Sequence, residues 1–295
     1  EKLAYVILLS GTVDSTQGED LENDVYFVAT RILVWQLLHV PETRTKHDVI
    51  VLVTPTVSQS RRDRLEKDGV QVRLVEFVET AGSPWIKGEA RQFDDLMTKF
   101  RAWQLTEYNR VLLFDSDSMV RKNMDKIFDE PLAQIQKSLT GRFQPLEGQM
   151  KWPDKYLFAG GSEVWDSNHK FPPTHDGGGL KYKGNMNAGF MLLHPDEKMF
   201  EYLVSFINIE NSFDPQYMEQ NLLNKAFTWE GPMPWKEVGY TWNIRYPTEY
   251  DFEQGLPSMH EKWWTQPYIY ENQKVKDWLL AQRWEMKGWY ACRDD

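Results

Sequence analysis

The chain begins with a continuous apolar run, Leu3 to Leu9 (LAYVILL), between polar flanks. A run without polar alternation is the pattern of a strand covered on both faces. Asp48 to Val53 (DVIVLV), Val70 to Val75 and Val111 to Phe114 (VLLF) repeat it. Helical periods lie between these runs. From Tyr26 to His39, the positions Val28, Ala29, Ile32, Leu33, Gln36 and Leu37 share one face, with Val25 just ahead. Ser58 to Asp68 reads as a helix with a Ser N-cap and Gly69 as its stop. Phe93 to Tyr108 reads as a further helix. Strands alternating with helices predict βαβ units on a mostly parallel sheet, hence an α/β fold.

The second half is less periodic. Ser138 to Lys183 carries Pro172-Pro173 and Gly177-Gly178-Gly179 and predicts an elaborated loop region. Asn187 to Leu193 (NAGFMLL) predicts a strand. Glu197 to Ile207 and Tyr217 to Phe227 predict helices, and Gln273 to Tyr290 a Trp-rich amphipathic helix. No repeat or compositional break divides the chain, so residues 1–295 are expected to form a single domain.

Composition narrows the function classes. The 295 residues carry 34 Lys and Arg against 44 Asp and Glu, a net charge of −10. Such a chain repels a phosphate backbone, which excludes nucleic acid as the expected partner. A nucleotide stays admissible, because a bound divalent cation inverts the local sign. The single cysteine, Cys292, excludes an intramolecular disulfide framework and a Cys-rich zinc site. The longest apolar run, Ala4 to Leu9, falls far short of the ~20 residues of a membrane helix, so no span is expected in this chain. The first residue is Glu1 rather than Met, and the expectation is a Golgi-lumenal protein whose upstream anchor has been removed, with the cytoplasm as the alternative. Thirteen Trp and 13 Tyr, many of them between Trp235 and Tyr268, offer faces for stacking on sugar rings.

The candidate chemistry starts at Asp115-Ser116-Asp117, directly after the VLLF run. In open parallel sheets, ligands bind beyond the carboxyl ends of strands. Two carboxylates two residues apart at a strand-to-loop turn can both reach one hard cation. On its own an Asp-x-Asp triplet is more often a pair of solvated loop carboxylates, and a phosphatase or hydrolase could share this placement.

The segment Leu96 to Phe128 (LMTKFRAWQLTEYNRVLLFDSDSMVRKNMDKIF) resembles the core of the glycogenin-like glycosyltransferases, family 8 of the retaining enzymes with the GT-A fold. Further pieces follow in the family's order: the N-terminal strand with its polar loop, Met186 to Leu193 (MNAGFMLL), Glu219-Gln220 with Leu222, Leu223 and Asn224, and His260. The resemblance implies a GT-A, Rossmann-like α/β/α sandwich. It implies transfer, with retention, of GlcNAc or Glc from a UDP-sugar donor to a carbohydrate hydroxyl. Within the family the chain is more similar to fungal members that add GlcNAc to glycans. A self-glucosylating initiator and a non-catalytic nucleotide-sugar binder are the alternatives, and assembly as a homodimer is left open.

The resemblance also implies roles. Asp115, Asp117 and His260 would hold Mn²⁺, with Mg²⁺ as the alternative, and Ser116 would sit at the donor between them. Lys99 would reach the donor sugar or diphosphate. Asn187, Ala188 and Gly189 would line the sugar. Leu8, Leu9 and Ser10 would flank the base, and Tyr26 would stack on it. Glu219 and Gln220 would lie beneath the anomeric carbon, Glu219 as a nucleophile or Gln220 as a stabiliser. The family commonly follows its His with Gly and then Lys-Pro-Trp. This chain reads His260-Glu261-Lys262-Trp263-Trp264-Thr265-Gln266-Pro267, so Lys262 is expected to grip the diphosphate from a shifted position. Residues Phe213 to Met218 add a second departure, just before the acidic-Gln pair.

Overall fold

The computed structural model describes residues 1–11, 21–80, 82–87, 95–141, 143–264 and 271–294. Most of the polar loop after the N-terminal strand, the predicted helix start at Phe93, and Thr265 to Tyr268 lie outside the described residues. The strands are β1 (Leu3–Leu9), β2 (Asp48–Val53), β3 (Gln71–Leu74), β4 (Arg110–Asp115), β5 (Ser118–Val120), β6 (Gln136–Lys137), β7 (Lys155–Tyr156), β8 (Phe158–Ser162), β9 (Met186–Leu193), β10 (Lys236–Glu237), β11 (Asn243–Arg245) and β12 (Ser258–His260). The helices are α1 (Val25–Leu38), α2 (Gln59–Lys67), α3 (Glu197–Ile207), α4 (Met218–Ala226), α5 (Glu249–Glu253) and α6 (Gln273–Asp294).

The central sheet runs in the order β10-β8-β9-β4-β1-β2-β3. β4, β1, β2 and β3 are parallel, and only β9 runs against its neighbours β4 and β8. This is the expected α/β sandwich with a mostly parallel sheet. β1 and β4 lie in its middle and are buried almost throughout, so their apolar runs face core on both sides. A second, three-stranded sheet, β11-β12-β5, stands beside the end of β4. The short turn Ser116–Asp117 carries the chain from one sheet into the other.

Three elements differ from their sequence expectation. Leu96–Gln104 is a 3₁₀ helix rather than an α-helix. Its tighter winding aligns every third residue. Met97, Phe100 and Trp103 thus share one fully buried edge, while Leu96 and Lys99 share another that faces the cavity described below. Ser58 precedes α2 without capping it through its side chain; its hydroxyl instead meets Ser60 and Arg61. In the region expected to be loop, β8 enters the central sheet. Its FAGGS sequence carries no strand period, and a bulge falls between Gly160 and Gly161. A Cβ on Gly160 would lie 2.6 Å from the Met186 sulfur, so a larger residue there would have to displace the Met186 side chain.

Helix α1 is buried nearly all round rather than along one stripe, because β5 and α6 cover the side turned away from β1. Gln36, counted with the apolar face in sequence, is fully buried and polar for a reason. Its Oε1 accepts from the backbone N–H of Val120 in β5 at 2.8 Å, and its Nε2 donates to Oε1 of Gln282 in α6 at 2.8 Å. One amide thus satisfies an edge-strand donor and ties three elements together.

Gln36→Leu keeps the volume but leaves the Val120 N–H and the Gln282 carbonyl without these partners. The expected cost is about 2–4 kcal/mol of unfolding free energy, read as a lower urea midpoint with an unchanged slope. A midpoint within error of wild type would contradict this role.

Candidate active site

The site forms where the two sheets meet. β4 ends in Asp115, which pairs with Leu8 of β1. The chain turns through Ser116 and Asp117 and enters β5, where Ser118 pairs antiparallel with His260 of β12. The Glu261 N–H donates to the Asp117 carbonyl at 3.0 Å and closes the turn. This pairing is what brings His260 to carboxylates more than 140 positions earlier in the chain. Its Nε2 lies 3.0 Å from Asp117 Oδ1 and 3.8 Å from Asp115 Oδ2.

One donor atom from each of Asp115, Asp117 and His260 lies within 4.8 Å of the others. A divalent cation with ligands at about 2.1 Å places adjacent ligands about 3 Å apart, close to the Asp117–His260 separation. Two carboxylate oxygens and an imidazole nitrogen are a donor set that first-row divalent metals accept. The residues present therefore fit a metal. Gly189 sets how close the imidazole can come: a Cβ there would sit 2.2 Å from His260 Cε1.

A cavity of about 490 Å³ opens from this cluster. Lys99 projects into it from the 3₁₀ helix and is 3% exposed. Its Nζ donates to Asp115 Oδ1 at 2.6 Å, Glu219 Oε1 at 2.8 Å and the Ala188 carbonyl at 3.3 Å. One ammonium therefore serves two carboxylates from different elements. Burial disfavours charge on Lys99, but Asp115 and Glu219 outweigh it and hold its pKa above the ordinary lysine value. Glu219 is raised, because burial exceeds the opposing pull of Lys99. Asp117 resists the same burial: His260 beside it, with Lys262 and Lys99, holds its carboxyl well below the usual range. Burial opposes protonation of His260, and Asp117 and Asp115 overcome it to raise its pKa.

The bulge beside β8 shapes the opposite wall. Ala188 and Gly189 lie beyond the last β4 pairing, so their backbone groups need other partners. The Ala188 N–H donates to Gln220 Oε1 at 3.1 Å, and the Gly189 N–H to Asn187 Oδ1 at 2.9 Å. Asn224 clamps Met186 through both its N–H (2.8 Å) and its carbonyl (3.0 Å), fixing α4 to the start of β9.

Of the residues named from sequence, Lys99, Asp115, Asp117, Asn187, Glu219, Gln220, His260 and Lys262 line this one cavity. Ser116 is half-buried in the turn between the two aspartates. Leu8 and Leu9 are buried at the end of β1. Ser10 follows them and donates to Asp95 Oδ2 at 2.5 Å. Tyr26 packs edge-on against Trp264, ring centroids 5.1 Å apart, with the Lys262 ammonium 6.0 Å from its ring centroid. Ala188 and Gly189 are not among the residues lining the cavity; their N–H groups are taken up by Gln220 and Asn187.

Three further lining residues carried no sequence signal. Glu163 is 3% exposed; its Oε2 accepts from Asn187 Nδ2 at 2.7 Å and its Oε1 from Arg245 Nη1 at 2.8 Å. Arg245, in turn, stands in a three-residue strand with no motif around it. Glu261 is buried next to His260, and burial pushes its carboxyl up to about 7 against the pull of His260 and Arg245.

The model of glycosyl transferase family 8 matches residues 5–276. The chain belongs to glycosyl transferase family 8. It is thus a sugar-transferring enzyme that uses a nucleotide sugar. The C4C3.09 protein of Schizosaccharomyces pombe is 30% identical over 286 residues, 88% of this chain and 73% of its own. Glycogenin-1 of Homo sapiens is 23% identical over 78% of this chain and 53% of its own. UDP-glucuronate:xylan alpha-glucuronosyltransferase 1 of Arabidopsis thaliana is 24% identical over 65% of this chain and 22% of its own. In structure, the chain is similar to the galactosyltransferase LgtC, with a TM-score of 0.54 at 16% identity over 97% of this chain and 95% of that one. That likeness identifies the sheet and its flanking helices as the GT-A fold.

Two predictions follow from the wall around His260. Gly189→Ala should displace the imidazole and weaken divalent-cation binding by roughly 10–100-fold, measured by calorimetry; unaltered affinity would show that the ring has other room. Glu261 gives a pH dependence in EDTA. Its folded pKa, about 7, lies above its ordinary 4.5, so the folded state holds the proton more tightly. Its stabilising contribution is complete below about pH 4.5 and is lost as pH rises through 7, up to roughly 3 kcal/mol. Glu261→Gln should flatten that part of the stability profile in urea titrations between pH 5 and 8; parallel profiles would refute the assignment.

Proposed function

We propose that the protein transfers a sugar, GlcNAc or Glc, from a UDP-sugar to a carbohydrate hydroxyl, with Mn²⁺ at Asp115, Asp117 and His260 and with retention of anomeric configuration. The observation that carries this reading is the convergence, in one cavity, of that metal-fitting cluster with Lys99, Lys262 and the Glu219-Gln220 pair. Bound there, the cation supplies Lewis-acid stabilisation of the departing diphosphate. An intact cluster weighs against a binder that has lost catalysis.

The chain's own residues have separable tasks in this reading. Lys99 and Lys262 bring positive charge to the diphosphate side of the cavity. Lys99 also holds Asp115 in place. Asn187, oriented by Glu163, presents an amide edge to sugar hydroxyls. Glu219 has its Oε1 engaged by the Lys99 ammonium, and burial raises its carboxyl pKa; the occupied oxygen is withdrawn from nucleophilic attack. That supports direct transfer on one face. The bond from the anomeric carbon to the diphosphate oxygen breaks, the bond to the acceptor oxygen forms on the same side, and the acceptor proton passes to the leaving diphosphate. Gln220, anchored on Ala188, steadies the wall beneath the sugar.

UDP with Mn²⁺ should raise the melting temperature, by an amount corresponding to roughly 3 kcal/mol at a hundredfold excess over Kd. EDTA should abolish the shift; a shift that survives EDTA would count against the metal. Asp117→Ala should lower UDP release from a UDP-sugar by about a hundredfold or more, with circular dichroism unchanged. Turnover near wild type would remove the cluster from the mechanism, and an inverted product by NMR would exclude retention.

A further inference from the structure

Aromatic side chains lie unevenly on the surface. Among the described residues, six Trp and Tyr side chains are markedly exposed: Trp165, Tyr182, Tyr217, Trp229, Tyr250 and Trp284. Four of these six fringe the cavity mouth, Trp165, Tyr182 and Trp229 on one side and Tyr217 on the other. Tyr217 lines the cavity itself. Tyr182 follows the lining residue Lys181, and its ring stands edge-on to Trp165 with centroids 5.5 Å apart. Trp229 lies against Gly184, next to the lining residue Asn185; a Cβ on Gly184 would be 3.9 Å from its ring.

The fringe is built on ordered backbone. Residues 163–165 run antiparallel to residues 179–181. The Lys181 N–H donates to the Glu163 carbonyl at 2.7 Å, the Trp165 N–H to the Gly179 carbonyl at 3.0 Å, and Val164 bridges Leu180. Val164 and Leu180 point into the core, so alternation turns Trp165 outward. Lys181 keeps its ammonium 5.2 Å from the centre of the Trp165 ring. On the facing wall, Met218 has φ +41°, a strained value for a residue with a side chain. Its side chain is buried, and the preceding Tyr217 is turned out to 45% exposure. Leaving large rings half in water forgoes burial that each could have gained. Exposed aromatic clusters of this kind mark binding surfaces.

We propose that this fringe is an acceptor subsite for an oligosaccharide. The acceptor is a chain of pyranose rings, with its reacting end in the cavity and its following rings lying on Trp165 and Tyr182. This deepens the sugar-transfer reading above and rests on it. The chemistry of the fringe selects the occupant. Pyranose rings present apolar C–H faces to aromatic rings and hydroxyl edges to polar groups, and the cavity beside the fringe supplies polar groups in Asp214, Gln216 and Asn221. The fringe is continuous with that cavity, so a chain entering one lies on the other. A single sugar would leave the outer rings untouched, and the acceptor is therefore recognised by its length.

The test measures binding first, so that it does not depend on transfer. Mono- to hexasaccharides of gluco-, manno-, galacto- and xylopyranose are titrated into the protein with UDP and Mn²⁺, read by tryptophan fluorescence and calorimetry. At least one series should tighten by tenfold or more between one unit and three and then level off. Trp165→Ala and Tyr182→Ala should each lose most of that gain while keeping monosaccharide affinity and the melting shift with UDP and Mn²⁺, which shows them folded. Affinity independent of chain length, a length effect preserved in both variants, or no binding by any series would overturn the subsite. UDP release stimulated only by a protein hydroxyl would overturn it as well. A tightening series without UDP release from any UDP-sugar would instead sink the transfer reading and leave the subsite standing.

Discussion

Two aspartates at the end of a buried strand impose a constraint that the surrounding structure satisfies. Asp115 and Asp117 sit where the central sheet hands the chain to a second sheet, and carboxylates that close together repel unless cations flank them. Lys99 reaches Asp115 from the 3₁₀ helix, and His260 reaches Asp117 from β12. Each of these partners is itself buried, which requires further support. Lys99 is shared with Glu219 of α4, and His260 packs where only glycine leaves room on β9. The charge balance at one turn thereby fixes the relative placement of β4, the 3₁₀ helix, α4, β9 and the second sheet.

The same constraint explains why the cavity is pre-formed. The bulge at β8 releases Ala188 and Gly189 from strand pairing, and Gln220, Lys99 and Asn187 take up the backbone groups so exposed. Few polar groups in the wall are left to reorganise when a ligand enters. A cation held by Asp115, Asp117 and His260 would share Asp115 with the Lys99 ammonium. The aromatic fringe adjoins this network: the ribbon that carries Trp165 also carries Glu163, whose carboxylate orients Asn187.

The parallel strands and most of the helices were legible in the sequence, since buried strands must be apolar on both faces and helices must repeat near 3.6 residues. β8 was not legible. Its Gly160 answers to Met186 across the sheet, a neighbour 26 positions away that no local period can announce. The 3₁₀ winding at Lys99 was hidden for a related reason, because its pattern fits an α-helix almost as well. Gln36 falls on the apolar face by its period, and only the fold shows it as the partner of an edge-strand N–H.

Within the site, Asp115-Ser116-Asp117 by itself marked only a carboxylate pair at a strand end. Motif order added Lys99, Asn187, Glu219, Gln220 and His260, because each stands in a local sequence pattern. Glu163, Arg245 and Glu261 stand in none, and their place in the cavity arises from contacts distant in the chain, Glu163 with Arg245 and Glu261 with Asp117. What the sequence alone determined was the α/β class, the strand that carries the aspartates and the family resemblance, since apolar periodicity and short motifs are local properties. What tertiary structure decided was which charges meet: one lysine between two carboxylates, one histidine on a glycine, one glutamate between an asparagine and an arginine. Those pairings depend on strand register and burial, which exist only once the chain has folded.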